Sequence, residues 1–393
     1  MAIEAVDTRA RGLRPRRAVE ALGIKGFVRR LDWVLFGAVA ALVAYGVWSV
    51  DAITGHDPAG SLAGRQAVYV AGGVLLMFAA AAIDPDVYRR RQKPIYIGAL
   101  ALMALVLLSA AATRGSRRWI DIGFFKFQPS EFGKVLFTLF LAAFLADRAR
   151  RITSLDVPLQ AIGLALAPIV LVFLQPDLGT ALVYSAALGA VLFISGVRWI
   201  HLGAIGLVAL LGMLAVLWWL PASGVPVLKP YQTKRITGFL HPESDPRDAT
   251  YNIVQSKTAV GAGGLRGRGV TGATQTRLHY LPEHATDFAF ASLAEQRGFF
   301  GVSVLLLLYL LVVWRGLKIV LGARDLFCAI VAGGLVFAFL FQVFVNVGMT
   351  IGIAPITGIP LPFVSVGGSA MITNLVAIGI LQGIHARSVR RRA

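Results

Sequence analysis

Asp287 stands near the end of the segment Tyr280-Leu281-Pro282-Glu283-His284-Ala285-Thr286-Asp287-Phe288-Ala289-Phe290, in a setting that suits proton abstraction by a carboxylate. A polar loop precedes it, a long apolar run follows, and Phe288 and Phe290 flank it. Partial removal from water raises a carboxyl pKa and makes the group a stronger base. The same position admits a plain structural reading, in which Thr286 or Asp287 caps the helix that follows. Glu283 is either a second acid or a surface residue.

A second set of charges suits a phosphate. Glu131 and Lys134 are three apart, which puts them on one helical face. They read either as an ion pair holding a helix in its bundle or, with Arg117 and Arg118 upstream, as a source of positive charge for a phosphate. Arg65 joins that cluster or anchors a helix at the membrane interface. Asp177 follows Pro176 and precedes Leu178-Gly179-Thr180, where it either caps a helix or orients a basic residue. Charges at the edge of a bilayer are costly unless paired or facing water, so each is a candidate site residue by default.

The elements that must carry these groups are membrane spans. Of 393 residues, 57% are hydrophobic and 15% charged, against about 45–50% and 25% in soluble domains. A spanning helix needs roughly 20 mostly apolar residues. Such runs fall at 32–50, 66–83, 94–113, 131–146, 157–174, 179–196, 201–220, 294–314, 325–347 and 365–385. The expected fold is an all-α polytopic membrane protein of about ten transmembrane helices, with one long extracytoplasmic loop, 221–288, between the seventh and eighth. Residues 1–30 read as a basic cytoplasmic tail and 31–393 as a single membrane domain. Residues 120–130, with Phe and Ile among polar residues, are expected to enter the membrane as a broken or re-entrant piece.

Lys and Arg collect on the cytoplasmic side of a membrane protein. Here they precede the first run, follow the second and fourth, and close the chain at Arg387, Arg390, Arg391 and Arg392. Both termini are therefore expected in the cytoplasm and the candidate residues on the outer side, where Arg114, Arg117, Arg118 and Lys126 break the rule and point to an anion. The first run lacks a small-residue cleavage site and reads as a retained anchor. The excess of 38 Lys and Arg over 20 Asp and Glu, a net charge of +18, suits an anionic membrane surface or substrate. The basic tail reads as a topology signal, so no nucleic-acid partner is expected. Cys328 is the only cysteine, which excludes an intrachain disulfide framework and a Cys-rich metal site.

Residues 261–272 contain six glycines and formally fit G-x-G-x-x-G at 267–272, but no βαβ unit surrounds them. A flexible or closely packed backbone is expected instead, with Arg266 and Arg268 available to an anion. His241, Glu243, Asp245 and Asp248 match no EF-hand or zinc spacing and read as solvated loop. Residues 353–365 hold three prolines and no charge, which excludes continuous helix and requires the stretch to line a cavity or be buried in protein. Asn346, Thr357, Ser365 and Asn374 are placed to hydrogen-bond there.

Several motifs together resemble the SEDS family of shape, elongation, division and sporulation proteins, over essentially all the spans. They are Arg118-Trp119-Ile120-Asp121-Ile122-Gly123, Phe127-Gln128-Pro129-Ser130-Glu131, Gln175-Pro176-Asp177-Leu178-Gly179-Thr180, Tyr251-Asn252-Ile253-Val254-Gln255-Ser256, Leu281-Pro282-Glu283 with Thr286-Asp287-Phe288, and Gly367-Gly368-Ser369. Thr274-Gln275 and Thr357 to Ser365 are similar to its elongation branch. The resemblance implies a ten-span peptidoglycan glycosyltransferase that polymerises lipid II on the outer face of the cytoplasmic (inner) membrane. It implies Asp287 as the essential acid, Glu131 and Lys134 as the family's pair, and Asp177 as its other outer carboxylate. Ala285, Gln296 and Val366 depart from the His, Glu and Tyr usual there.

On that reading Asp287 deprotonates the acceptor sugar hydroxyl. Lys134 and Arg118, with Arg65 or a divalent cation (Mg or Mn), hold a pyrophosphate that leaves without being protonated. The implied partners are lipid II, a class B penicillin-binding protein transpeptidase, elongation-complex proteins and membrane lipids. Two alternatives stand beside it. A lipid II flippase should carry ionisable groups near the bilayer midplane and two related halves with broken helices; a non-catalytic scaffold would only position another synthase.

Overall fold

The structure, a computed structural model, describes residues 24–54, 62–109, 118–123, 125–223, 230–240 and 249–389. The basic tail to residue 23, Arg114, Arg117, the group His241, Glu243, Asp245 and Asp248, and Arg390 to Arg392 lie outside them.

Each of the ten apolar runs forms a helix. In chain order α1 is Trp33–Thr54, α2 Leu62–Ala82 and α3 Gln92–Ser109. Then come β1 Ile120–Ile122, β2 Phe125–Phe127, α4 Pro129–Asp147, α5 Asp156–Leu174, α6 Leu178–Ile194 and α7 Trp199–Leu214, which continues through a π turn to Trp219. Two longer helices, α8 Pro230–Leu240 and α9 Ala249–Gly263, and single helical turns at Gly269–Gly272 and Thr274–Arg277 give structure to the long connection. Three more spans follow, α10 Ala289–Leu321, α11 Leu326–Ile351 and α12 Gly368–Val389. Eight of the ten are long and apolar enough to cross a membrane, and α3 and α6 are shorter apolar helices. The chain is a multi-pass helical membrane protein, with one small hairpin among the described residues.

That hairpin corrects the expectation for residues 120–130. Ile120 pairs with Phe127, Asp121 with Lys126 and Ile122 with Phe125, antiparallel. Apolar and polar residues alternate over both strands, the period of a two-faced ribbon, so the segment satisfies its backbone by pairing as a hairpin and is not a broken helix. Gly123, at φ 73°, makes the turn, and its N–H bonds Asp121 Oδ1 at 3.0 Å. α4 then starts at Pro129, a residue suited to the first helical turn.

The centre of the bundle is α4, α11 and α12, each buried along most of its length. α7 buries none of its residues against the rest of the described chain. At one end of the bundle Asp32 ties α1 to α10 and α12: Arg315 Nη2 lies 2.6 Å from its carboxylate, while Gln382 accepts from Asp32 N–H and donates to Asp32 O. Arg324 and Arg387 bind Asp84, Asp86 and the last carbonyls of α2 at that same end.

α10 is broken at Gly298, where φ is 65° and ψ −164°. The cause is the Gly-rich segment, which lies against it backbone to backbone. A Cβ on Gly263 would stand 2.0 Å from Ala294 O, one on Gly267 2.3 Å from Gln296 O, and one on Gly298 2.2 Å from Gly267 N. Close approach of this kind demands glycine. Phe299 N–H bonds Gly264 O at 2.8 Å and Arg268 N–H bonds Glu295 O at 2.9 Å, so groups released by the break find partners in the loop. The proline-bearing stretch 353–365 is likewise buried in protein: Ile359, Leu361, Phe363 and Val364 are almost wholly covered, and Tyr309 Oη donates to Pro362 O.

Candidate active site

Each of the two Gln-Pro sequences precedes a helix, Gln128 at the start of α4 and Gln175 just before Asp177 and α6, and the two starts meet. Gln128 Nε2 donates to Asp177 Oδ2 at 2.8 Å and to Ser130 Oγ at 3.2 Å. Asp177 Oδ1 accepts from Thr180 N–H at 3.1 Å, capping α6, and lies 3.6 Å from Arg118 Nη1. Asp177 therefore does both things its sequence allowed. Gln128 N–H in turn bonds Ser369 Oγ at 2.9 Å, and that hydroxyl donates to Lys126 O, which joins the start of α12 to the hairpin.

Glu131 and Lys134 lie one turn further along α4. Lys134 Nζ is 2.7 Å from Glu131 Oε2, and both side chains are almost fully covered. Lys134 faces a small interior cavity that Gln342 and Asn374 also line. Tyr184 Oη donates to Ser130 O beside this pair, packed against Gly133.

Asp287 lies in the turn that leads into α10. The cap position of α10 is Phe288, with no side-chain cap bond, while Thr286 Oγ1 donates to Glu283 Oε2 at 2.9 Å. The capping reading of Thr286 and Asp287 is thus replaced by a turn closed on Glu283, whose carbonyl accepts the N–H groups of Thr286 and Phe288. The Asp287 carboxylate and the Arg235 guanidinium converge on Gly358. A Cβ there would stand 3.4 Å from Asp287 Oδ2 and 3.6 Å from Arg235 Nη1.

Burial pushes the Asp287 carboxyl up to about 6. Arg235 and Arg118 pull against that rise, and the negative charges of Glu283 and Asp177 add to it. All four charges act on this one carboxylate. A carboxylate so poised is ionised at neutral pH and close to matched for proton transfer. His284, held by Leu281 O at 3.1 Å from Nδ1, has its pKa lowered by burial and stays neutral.

The site thus brings together Asp287, Glu283, Asp177 and Arg118. Arg65 is exposed on the first turn of α2, next to Gln66, whose Nε2 donates to Ser365 O at 3.1 Å, and so stands at the rim. Glu131 and Lys134 sit beneath as a closed pair. Two further charged residues have placements that local pattern does not give. Arg235 reaches the site from α8, a placement that only tertiary packing sets, while Glu295 holds the neighbouring 274–277 segment. Glu295, fully buried, accepts from Gln275 N–H and Thr276 N–H, each at 2.9 Å, and from Thr276 Oγ1 at 2.7 Å. A carboxylate inside an apolar run was its available signal.

Among the described residues no three His, Cys, Asp or Glu side chains converge for a metal ion. A divalent cation needs only one or two carboxylates when substrate phosphates supply the remaining oxygens. Glu283, exposed beside Asp287, meets that smaller demand.

A family model described as cell cycle protein, for FtsW, RodA and SpoVE, matches residues 28–390. The chain is 39% identical over 355 residues to the peptidoglycan glycosyltransferase MrdB of Escherichia coli strain K12, which covers 90% of this chain and 93% of that protein. Among solved structures, a chain of a peptidoglycan synthase complex that coordinates polymerization and crosslinking matches with a TM-score of 0.77 and 33% identity, over 91% of this chain and 98% of that one. The rod shape determining protein RodA of Thermus thermophilus matches with a TM-score of 0.66 and 31% identity, over 90% and 96%.

Proposed function

The chain belongs to the family of FtsW, RodA and SpoVE, and from that premise we propose how it acts as a peptidoglycan glycosyltransferase of cell elongation. It polymerises lipid II into glycan strands, with Asp287 as general base and basic side chains holding the pyrophosphate. The observation that carries this reading is the partly buried Asp287 carboxylate, raised to about 6, converging with Arg235 on Gly358 within electrostatic reach of Arg118 and Asp177.

The reaction needs one base and a strong anion holder. Asp287 takes the proton of the acceptor sugar hydroxyl as its oxygen attacks the donor's anomeric carbon. The bond from that carbon to the pyrophosphate oxygen breaks, and the pyrophosphate leaves with the electron pair and needs no proton. Arg118 and Arg235 face the charge that develops there, which is where fixed positive groups accelerate a reaction most. Arg65 supports them from the rim. Lys134, closed on Glu131, holds the start of α4 beneath them as a neutral pair. A divalent cation, Mg or Mn, fits as a companion of the pyrophosphate held partly by Glu283, and would add charge neutralisation.

We place the protein in the cytoplasmic (inner) membrane, with residues 31–393 as one membrane domain, both termini in the cytoplasm and the site on the outer face. Its partners on this reading are lipid II, a class B penicillin-binding protein transpeptidase, elongation-complex proteins and membrane lipids. The membership of a similar chain in a synthase complex supports the transpeptidase.

The broken α10 and the buried Lys134 are features a lipid II flippase would use. Yet the break is filled by the Gly-rich backbone and Lys134 is paired, so neither offers an open midplane site. Purified protein with lipid II in detergent, with and without the transpeptidase, separates the readings. Glycan polymer on a gel supports the transferase. No polymer in either condition, together with translocation of lipid II in liposomes, supports the flippase.

A further inference from the structure

Asp287 sits in a turn and not in a helix, so something other than a helical ladder must hold it. Four consecutive carbonyls of that turn are each bonded by a group from elsewhere. Ser292 Oγ donates to His284 O at 3.1 Å and Val366 N–H to Ala285 O at 2.9 Å. Ser365 Oγ donates to Thr286 O, and Asn346 Nδ2 to Asp287 O at 2.9 Å. The same Asn346 nitrogen donates to Ile359 O at 2.8 Å, next to Gly358. Ser365 Oγ also accepts from Leu361 N–H at 2.8 Å.

The holding groups are themselves held. Gln66 on α2 donates to Ser365 O, and Ser369, four residues on, accepts from Gln128 N–H. Gln128 donates to Asp177, and Asp177 pairs with Arg118. A nearly continuous polar connection therefore runs from the backbone of Asp287 through the 361–369 turn to the carboxylate that orients Arg118. None of these links touches Asp287's own side chain, and Ala285 and Val366, two departures from the family pattern, take part through main-chain atoms.

We propose that Asn346 and Ser365 are positioning residues of the reaction, fixing the backbone of Asp287 at a set distance from the arginine that holds the pyrophosphate. This rests on the reading of Asp287 as the base. Asn346 is fully buried with its Nδ2 spent on two carbonyls, and α11 gives it a rigid mount. Misplacing a base by about 1 Å costs roughly 10²-fold in rate.

The test uses Asn346→Leu and Ser365→Ala in the full chain with lipid II, alongside Asp287→Asn, with folding checked by melting temperature and Ser154→Ala at the opposite end of the bundle as control. Among the positioning variants the expected result is kcat down about 10–100-fold with KM nearly unchanged, partial rescue by Ser365→Thr, and no further loss when Asn346→Leu is added to Asp287→Asn. Two folded positioning variants with normal kcat, while Asp287→Asn is inactive, would overturn the proposal and leave the base in place. Activity in Asp287→Asn would overturn both. Should Asn346→Leu fail to fold, Ser365→Ala alone decides, since it removes only a hydroxyl.

Discussion

Gln128 and Asp177 bond across 2.8 Å, and that contact brings the starts of α4 and α6 together at the same end of the bundle. Each residue belongs to a Gln-Pro neighbourhood whose repetition in the sequence suggested two helix ends facing one compartment. Their meeting places Asp177 beside Arg118, 3.6 Å away, as its counter-charge.

Asp177→Asn keeps that shape and removes the charge. Arg118 then loses its anchor, and the cost falls on binding more than on the chemical step. The expected outcome is a folded protein whose KM for lipid II rises roughly 3–30-fold while kcat changes less. Steady-state polymerisation kinetics measure both.

The pH dependence of the reaction has an acid limb whose position neighbouring charges control. With Asp287 at about 6, kcat/KM should fall as pH drops through that value, because the protonated acid cannot accept a proton. Arg235 pulls the value down, so Arg235→Gln moves the acid limb to higher pH. Glu283 pushes it up, so Glu283→Gln moves the limb to lower pH. Rate profiles of the three proteins check the pair of opposite shifts.

The same raised value is a cost to the fold. Between the ordinary carboxylate value of 3.8 and about 6 the folded chain binds a proton at Asp287 that the unfolded chain has released. Stability is therefore lost as pH rises through that window. Asp287→Asn should melt higher than the parent at neutral pH and show no such gain below the window. Paired melting curves in detergent at the two pH values give the answer.

Glu295→Gln tests the buried carboxylate that holds the turn at Thr274–Arg277. Its three accepted bonds include two backbone N–H groups that an amide cannot all satisfy. A loss of about 1–3 kcal/mol is expected, read as a lower melting temperature.

Gly298→Ala strikes the break in α10. An added Cβ meets Gly267 N at 2.2 Å, and a φ of 65° is strained for alanine. Strain and overpacking together are expected to cost about 2–6 kcal/mol, seen as poor yield or a strongly lowered melting temperature.

The spans were legible because an apolar run of sufficient length can do little else in a bilayer. The stretch 353–365 was legible for a complementary reason, since prolines at 355, 360 and 362 forbid helix and a bilayer forbids exposed backbone. The hairpin was not legible: each strand is three residues long, too short for its alternation to stand out. In the site, Asp177 and the Glu131–Lys134 pair announced themselves as charges at span ends. Arg235 did not, being one of several basic residues in a long connection until α8 packs it beside Gly358. Whether Asp287 caps a helix was undecidable from local pattern, because the competing partner of Thr286 is the Glu283 side chain and the turn is held from α11 and residues 365 and 366.

The most direct test of the account replaces Asp287 by Asn in the purified full chain and compares glycan polymer formed from lipid II, with divalent cation and the cognate transpeptidase present. Polymer is expected from the parent and a loss of at least about 100-fold in the variant, with both proteins folded and both binding lipid II. Equal polymer from the two proteins would contradict it and remove Asp287 from the chemistry.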